Sequence, residues 1–194
     1  MNVFSKNKAL YNLINSFDLL GLEHLIDNAE DTIDFETAIS YDFDVWADTQ
    51  ADLISDFLCL DKIDNGAYRV ALDVCHSSVI LKVPLSHRGL EQHDREQKLK
   101  QYLLTNAPYL LKFLCPINIV RPNVYIASKC NTETPVPCFI RDAIVKYFKR
   151  HSIILCDVEE EHQWGWLHDQ PVILDYGDWV FTRDLTASFN PYKH

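Results

Sequence analysis

Glycine is scarce in this chain, with five in 194 residues, and methionine occurs once. A residue used so sparingly needs a reason wherever it stands, because it costs backbone entropy and packs nothing. The six cysteines (Cys59, Cys75, Cys115, Cys130, Cys138 and Cys156) never fall as C-x-x-C, and most lie in apolar runs. Structural zinc needs clustered ligands, and a disulfide framework belongs to a short secreted chain, so neither is expected. The reading is of buried thiols in a reducing cytoplasm. The eight histidines are scattered as well and suggest no metal site. No apolar run approaches the ~20 residues that cross a bilayer, and the first twenty residues lack the compact apolar core of an export signal. No Lys or Arg occurs between Lys8 and Lys62.

That last gap shapes the whole charge distribution. Met1–Lys62 holds three basic and thirteen acidic residues, while Ile63–His194 holds fifteen of each, so the net charge of −10 resides in the front third. Direct nucleic-acid binding by such a segment is disfavoured, since phosphates would be repelled. A hydrophobic fraction of 47% and an aromatic fraction of 12% supply a sizeable core, enough for one domain with an appended segment.

Hydrophobic periodicity predicts a helix over residues 8–28 and a second, amphipathic one over 44–58, with Trp46, Leu53, Ile54 and Phe57 as its apolar face. On the second helix Asp44, Asp48, Asp52 and Asp56 recur every fourth residue. Like charges one turn apart cost about 0.2–0.5 kcal/mol per pair in an isolated helix. The column is either a solvated face or an electronegative strip aimed at a basic partner, and it could imitate a nucleic-acid backbone. From Lys62 onward short β-type runs take over: 68–75, 78–85, 117–121 and 124–130. Helical stretches at 89–104 and 137–152 interleave with them, and short strands and loops follow. The order predicts an α+β fold.

Several polar residues stand where chemistry could use them. Lys82 interrupts the apolar run "SVILKVPL"; it either snorkels from a strand edge or meets a carboxylate, for which Glu91 and Glu96 on the next helix are candidates. Asn65-Gly66 reads as a tight turn before a strand. Asp157 and Asp175 each end an apolar strand, in "IILCDV" and "PVILDYGD". Phosphoryl transfer needs this set of groups: a lysine on phosphate oxygens, a glutamate to fix it, one acid for Mg²⁺ and another for the hydroxyl proton. Gly177, two residues after Asp175, would let the backbone turn away so that the carboxylate faces the ion.

In this order the segments resemble the protein-kinase-like fold, particularly the very small kinase-like proteins of bacteriophages. "IDNGAYRVALDV" is similar to a reduced glycine-rich loop, "VILKVP" to the V-A-I-K lysine strand, and "HDRE" to the helix that pairs its glutamate with that lysine. "INIVRPNVYIASKC" is similar to strands four and five, "CDVEEEHQWGW" to the catalytic loop, and "ILDYG" to D-F-G. The resemblance spans about 62–178. Charge and periodicity set apart an acidic helical segment over 1–60, and the resemblance implies a kinase-like domain over 61–194. That domain would hold an antiparallel small lobe over about 61–130 and a truncated large lobe over about 137–194. It implies ATP with Mg²⁺, Gly66 and Lys82 toward the nucleotide, Lys82–Glu96 as the ion pair, Asp157 as base, and Asp175 with Gln163 on the metal.

Departures from the pattern are equally specific. One glycine replaces the usual three, His-Arg is missing before Asp157, and His162 or Gln163 stands where the metal-binding asparagine belongs. Only seventeen residues follow Gly177, too few for a substrate-holding lobe. The expectation is a pseudokinase in the cytoplasm of an infected bacterium that binds and regulates or inhibits a host protein with a basic surface. The alternatives are an active serine/threonine-type phosphotransferase and an inhibitor that mimics nucleic acid through Asp44, Asp48, Asp52 and Asp56.

Overall fold

The computed structural model describes residues 8–29, 40–66, 68–121 and 123–182. Acidic residues between 30 and 39, and the end of the chain after 182, fall outside these. The chain divides into two compact units: Met1–Leu90 with Ile117–Ala127, and Glu91–Pro116 with Ser128–His194.

Among the described residues the first unit opens with the helices α1 (Lys8–Ser16), α2 (Leu19–Ala29) and α3 (Ser40–Leu58). The single helix predicted over 8–28 is two, because Asp18 caps a new start: its Oδ1 accepts the Gly21 amide at 3.1 Å. Strands β1 (Lys62–Asn65), β2 (Arg69–Asp73), β3 (Val79–Pro84), β4 (Ile117–Arg121) and β5 (Val124–Ser128) follow. They form an antiparallel sheet in the order β1-β2-β3-β5-β4. The register pairs Val70 with Val83 and Leu72 with Leu81. These four, with Val124 and Ile126 of β5, make one apolar face. Ile14, Leu22, Ile26, Trp46 and Ile54 of the helices bury against it in a common core. Burying a side chain of this size is worth about 1.5–3 kcal/mol. Helices α1, α2 and α3 of the acidic front end thus pack into the unit that holds the sheet.

Helix α3 turns a different face inward from the one its periodicity suggests. Trp46 and Ile54 are buried with Ala47, Ala51 and Leu58, but Leu53 and Phe57 are 46% and 38% exposed. Small alanines let the helix approach closely along the 47/51/54/58 line, which leaves 53 and 57 on its flank. Trp46 also satisfies its indole, donating Nε1–H to the Ala29 carbonyl at 3.1 Å.

The second unit contains most of α4 (His87–Asn106), α5 (Cys138–Arg150) and four short strands: β6 (Ile153–Leu155), β7 (Trp164–Leu167), β8 (Gln170–Ile173) and β9 (Trp179–Phe181). β7 and β8 form a hairpin, and β9 pairs back onto β6. The core gathers Leu99, Leu103, Leu110, Phe148, Ile153, Trp164, Ile173 and Tyr176. The architecture is α+β, as the pattern of runs predicted. The thiols differ from expectation: Cys115 is buried, Cys130 and Cys156 are half-buried, and Cys59, Cys75 and Cys138 are exposed. Among the described residues no helix is long and apolar enough to cross a membrane.

Candidate functional site

The strand-borne lysine belongs to the first unit. Lys82 lies on β3, an interior strand flanked by β2 and β5, so it is not at a sheet edge. It stands opposite Ala71 in the register, on the face away from Leu81 and Val83, and is 9% exposed. Gly66 closes the β1–β2 turn by donating its amide to the Arg69 carbonyl at 2.9 Å. A Cβ there would meet nothing within 4 Å, and φ is not positive, so the turn does not require glycine.

The acidic column of α3 is exposed along its length, with Asp44, Asp48, Asp52 and Asp56 all facing solvent. Its centre is partly neutralised from within the chain. Lys62 Nζ lies 2.6 Å from Asp52 Oδ1 and 3.3 Å from Asp48 Oδ1. The hydrogen bond to Asp52, aided by Asp48, raises the Lys62 ammonium above its ordinary pKa against a smaller loss from burial. Val45, Leu53 and Phe57 form an exposed apolar column beside the acids, so the surface is mixed in character.

The second unit carries the other predicted residues. Of the two candidate partners, Glu96 is fully buried, whereas Glu91 is exposed. His93, one turn earlier and equally buried, brings Nδ1 to 3.4 Å from Glu96 Oε2. Asp157 follows β6 with φ of 58° and is exposed. Its carbonyl accepts the Glu160 amide, and the Glu160 carbonyl accepts that of Gln163, so the loop coils through two successive turns. Val158 anchors the loop in the core, with its carbonyl accepting the Trp164 indole at 2.8 Å. The turn ends on Gln163, whose carbonyl accepts the Leu174 amide at 2.8 Å. Gln163 therefore runs beside the segment that carries Asp175, while its side-chain Nε2 is 3.3 Å from His162 Nε2.

Asp175 is half-buried, and its Oδ1 accepts two hydrogen bonds: Gln92 Nε2 of α4 at 3.2 Å and the Gly177 amide at 3.3 Å. Tyr176 points into the core and donates its hydroxyl to the Cys115 carbonyl at 3.0 Å. Gly177 does not have the positive φ that a sharp turn would demand. Its reason is space. A Cβ would stand 2.3 Å from Gln92 Cγ and 2.7 Å from the Gln92 carbonyl oxygen. Glycine here lets the loop press against the backbone of α4, which brings the Gln92 amide to the carboxylate.

Four further residues beyond the predicted set, Arg95, Cys156, Asp178 and Trp179, complete this corner. Arg95 Nη2 donates to Asp178 Oδ1 at 2.8 Å and to the Trp179 carbonyl at 2.7 Å, and Trp179 Nε1 returns a bond to the Arg95 carbonyl. The Asp178 carbonyl accepts the Cys156 amide at 2.9 Å. Burial pushes the Cys156 thiol up, the negative charges of Asp178 and Asp157 add to this, and Arg95 partly opposes them. The start of the Asp157 loop and the end of the Asp175 loop thus lie side by side. Gln92 and Arg95 were legible only as members of a polar helix; nothing marked them as partners of a loop eighty residues away. Among the described residues no group of three His, Cys, Asp or Glu is placed to hold a metal ion.

Comparison with known proteins adds no relatives: no protein-family model and no curated protein sequence matches the chain.

Proposed function

We propose that the protein is a small kinase-like module that has given up phosphoryl transfer and works by binding, and thereby regulating or inhibiting, a partner protein. The partner is a host protein if the chain is encoded by a phage. The order of elements supports the kinase-like reading: a five-stranded antiparallel sheet with a lysine on its third strand, a helix ahead of the last two strands, then β6, an acidic loop, a hairpin, Asp-Tyr-Gly, and β9 returning to β6. One observation carries the loss of catalysis. At the metal-holding position, Asp175 Oδ1 accepts from both Gln92 Nε2 and the Gly177 amide. The candidate second ligand, Gln163, is an amide whose Nε2 lies 3.3 Å from His162 Nε2. Mg²⁺ demands near-octahedral oxygen ligation and is usually held by carboxylates together with substrate phosphates. One carboxylate with a glutamine amide in place of the asparagine is a poor donor set for it.

The binding surface is the exposed side of α3, where Val45, Leu53 and Phe57 run beside Asp44, Asp48, Asp52 and Asp56. An apolar strip rimmed by charge of one sign suits a protein with a basic, partly apolar face. The alternative of mimicking nucleic acid fits less well, because Lys62 already neutralises the middle of the acidic row.

Two measurements test the reading. Incubation with labelled Mg-ATP and a mixture of candidate protein substrates should leave no phosphate on the protein or the mixture. Incorporation that disappears in the Asp157→Ala, Asp175→Ala double variant would restore the phosphotransferase. Affinity capture from a bacterial lysate, followed by mass spectrometry, should yield a basic partner, with capture weakened by Leu53→Asp and made less salt-sensitive by changing the four aspartates to Asn. Capture unaffected by both changes would remove α3 from the interface.

A further inference from the structure

We propose that Cys115 and Cys130 form a reversible oxidative modification site, closing to a disulfide when the protein meets a peroxide. The proposal stands independently of any nucleotide or partner. The two Sγ atoms lie 3.7 Å apart, in van der Waals contact, and both thiols are reduced. Both also lie 3.5 Å from one oxygen, the Ser128 carbonyl, so a shared acceptor gathers them on the same side of the chain. A disulfide needs about 2.05 Å between sulfurs, a closure that side-chain rotation can supply when the backbones are already near.

The backbones are held near. The Ser128 amide donates to the Pro116 carbonyl at 3.1 Å, continuing the ladder that pairs Ile117 with Ala127. Cys115 and Cys130 sit just beyond this last rung, one before β4 and the other after β5. Cys115 is further fixed by its amide on the Ile173 carbonyl and by the Tyr176 hydroxyl on its own carbonyl. Cys130 is backed by β7, where a Cβ on Gly165 would come within 3.1 Å of the Cys130 Cβ.

Unequal exposure sets the order of the chemistry. Cys130 is half-buried and within reach of a small oxidant, whereas Cys115 is 3% exposed. Peroxide takes two electrons from the Cys130 thiol, whose proton leaves with the departing hydroxide, giving a sulfenic acid and one water. The Cys115 thiol then attacks the sulfenic sulfur; the S–S bond forms, the S–O bond breaks, and the hydroxyl leaves as a second water with the thiol proton. A cellular dithiol reverses the step by exchange. The cross-link ties the ends of the β4–β5 segment to each other, next to the carbonyl that holds Tyr176.

The test uses the full, reduced, native chain, with Cys59, Cys75 and Cys138 changed to Ser to silence the exposed thiols. After exposure to hydrogen peroxide and alkylation, peptide mapping should give a Cys115–Cys130 cross-link and a mass lower by two hydrogens, both reversed by dithiothreitol. Hydrogen exchange at the Cys115 and Ser128 amides should slow in the oxidised form. In Cys115→Ser the same treatment should leave a Cys130 sulfenic acid that dimedone traps. Mapping of the parent protein decides the matter even if that variant fails to fold. Over-oxidised Cys130 beside an alkylatable Cys115, or a cross-link that appears only in urea, would overturn the proposal.

Discussion

At the scale of single residues, two glycines that look alike in the sequence do opposite things. Gly66 and Gly177 both stand near the end of a strand-like run with a polar residue within two positions before them, and for both the sequence predicts a turn. Neither has positive φ. Around Gly66 there is open space, so Gly66→Ala should be neutral or should stabilise by up to about 0.4–1 kcal/mol, through the entropy removed from the unfolded chain. Gly177→Ala instead drives a methyl against the Gln92 carbonyl, a backbone atom that cannot step aside without moving α4. Overpacking of this kind costs about 1–3 kcal/mol. Urea denaturation of the two variants checks the contrast; a Gly177→Ala protein as stable as its parent would show that α4 yields freely. The scarcity of glycine made position 177 conspicuous, but its cause lay in a contact with residue 92, which sequence spacing does not encode.

Among elements, α3 shows how a charge column is tuned by what packs beside it. Lys62 lies outside the helix yet bridges Asp48 and Asp52, while Asp56 stands near the C-terminal end, where a carboxylate opposes the helix dipole. The four acids, equivalent by spacing, should therefore separate by measurement. Asp52→Asn should destabilise by up to about 1 kcal/mol, the ceiling for an exposed ion pair. Asp56→Asn should stabilise by about 0.3–1 kcal/mol. The Lys62 contribution has a definite pH window. Its folded pKa is raised, so the stability it adds is complete below the ordinary value of 10.5 and is lost as pH climbs through the raised one. The stability gap between wild type and Lys62→Met should stay flat through neutral and mildly alkaline pH and close above 10.5. A gap that closes instead between neutrality and pH 10.5 would mean the ammonium is not held by these carboxylates. The existence of this helix was plain from its period. Its inward face was not, because Ala47 and Ala51 carry little hydrophobic signal yet permit the closest approach.

For the molecule as a whole, most of the element order could be read from the alternation of runs, since each run answers to a local period. The division into units could not. The first unit takes its last two strands from residues 117–127, well past the helix that opens the second. Contacts of that range leave no mark on local periodicity. β9 was missed for a related reason: three half-buried residues have no alternation to display, and they are a strand only because β6 is there to pair with them. Two cores follow from this division, one around Leu81 and Leu72, the other around Phe148 and Leu103. Each stabilises the elements that line it, so truncation in one should be felt first by its own unit. Leu81→Ala should cost about 2–5 kcal/mol and Phe148→Ala about 3–5 kcal/mol. Native-state hydrogen exchange can separate the two effects, because amides in cooperative units report the opening of their own unit. Leu81→Ala should accelerate exchange most in α3, β2 and β3, and Phe148→Ala most in α5, β6 and β9. If either substitution instead speeds every protected amide by the same factor, the two cores unfold together and the chain is a single cooperative body.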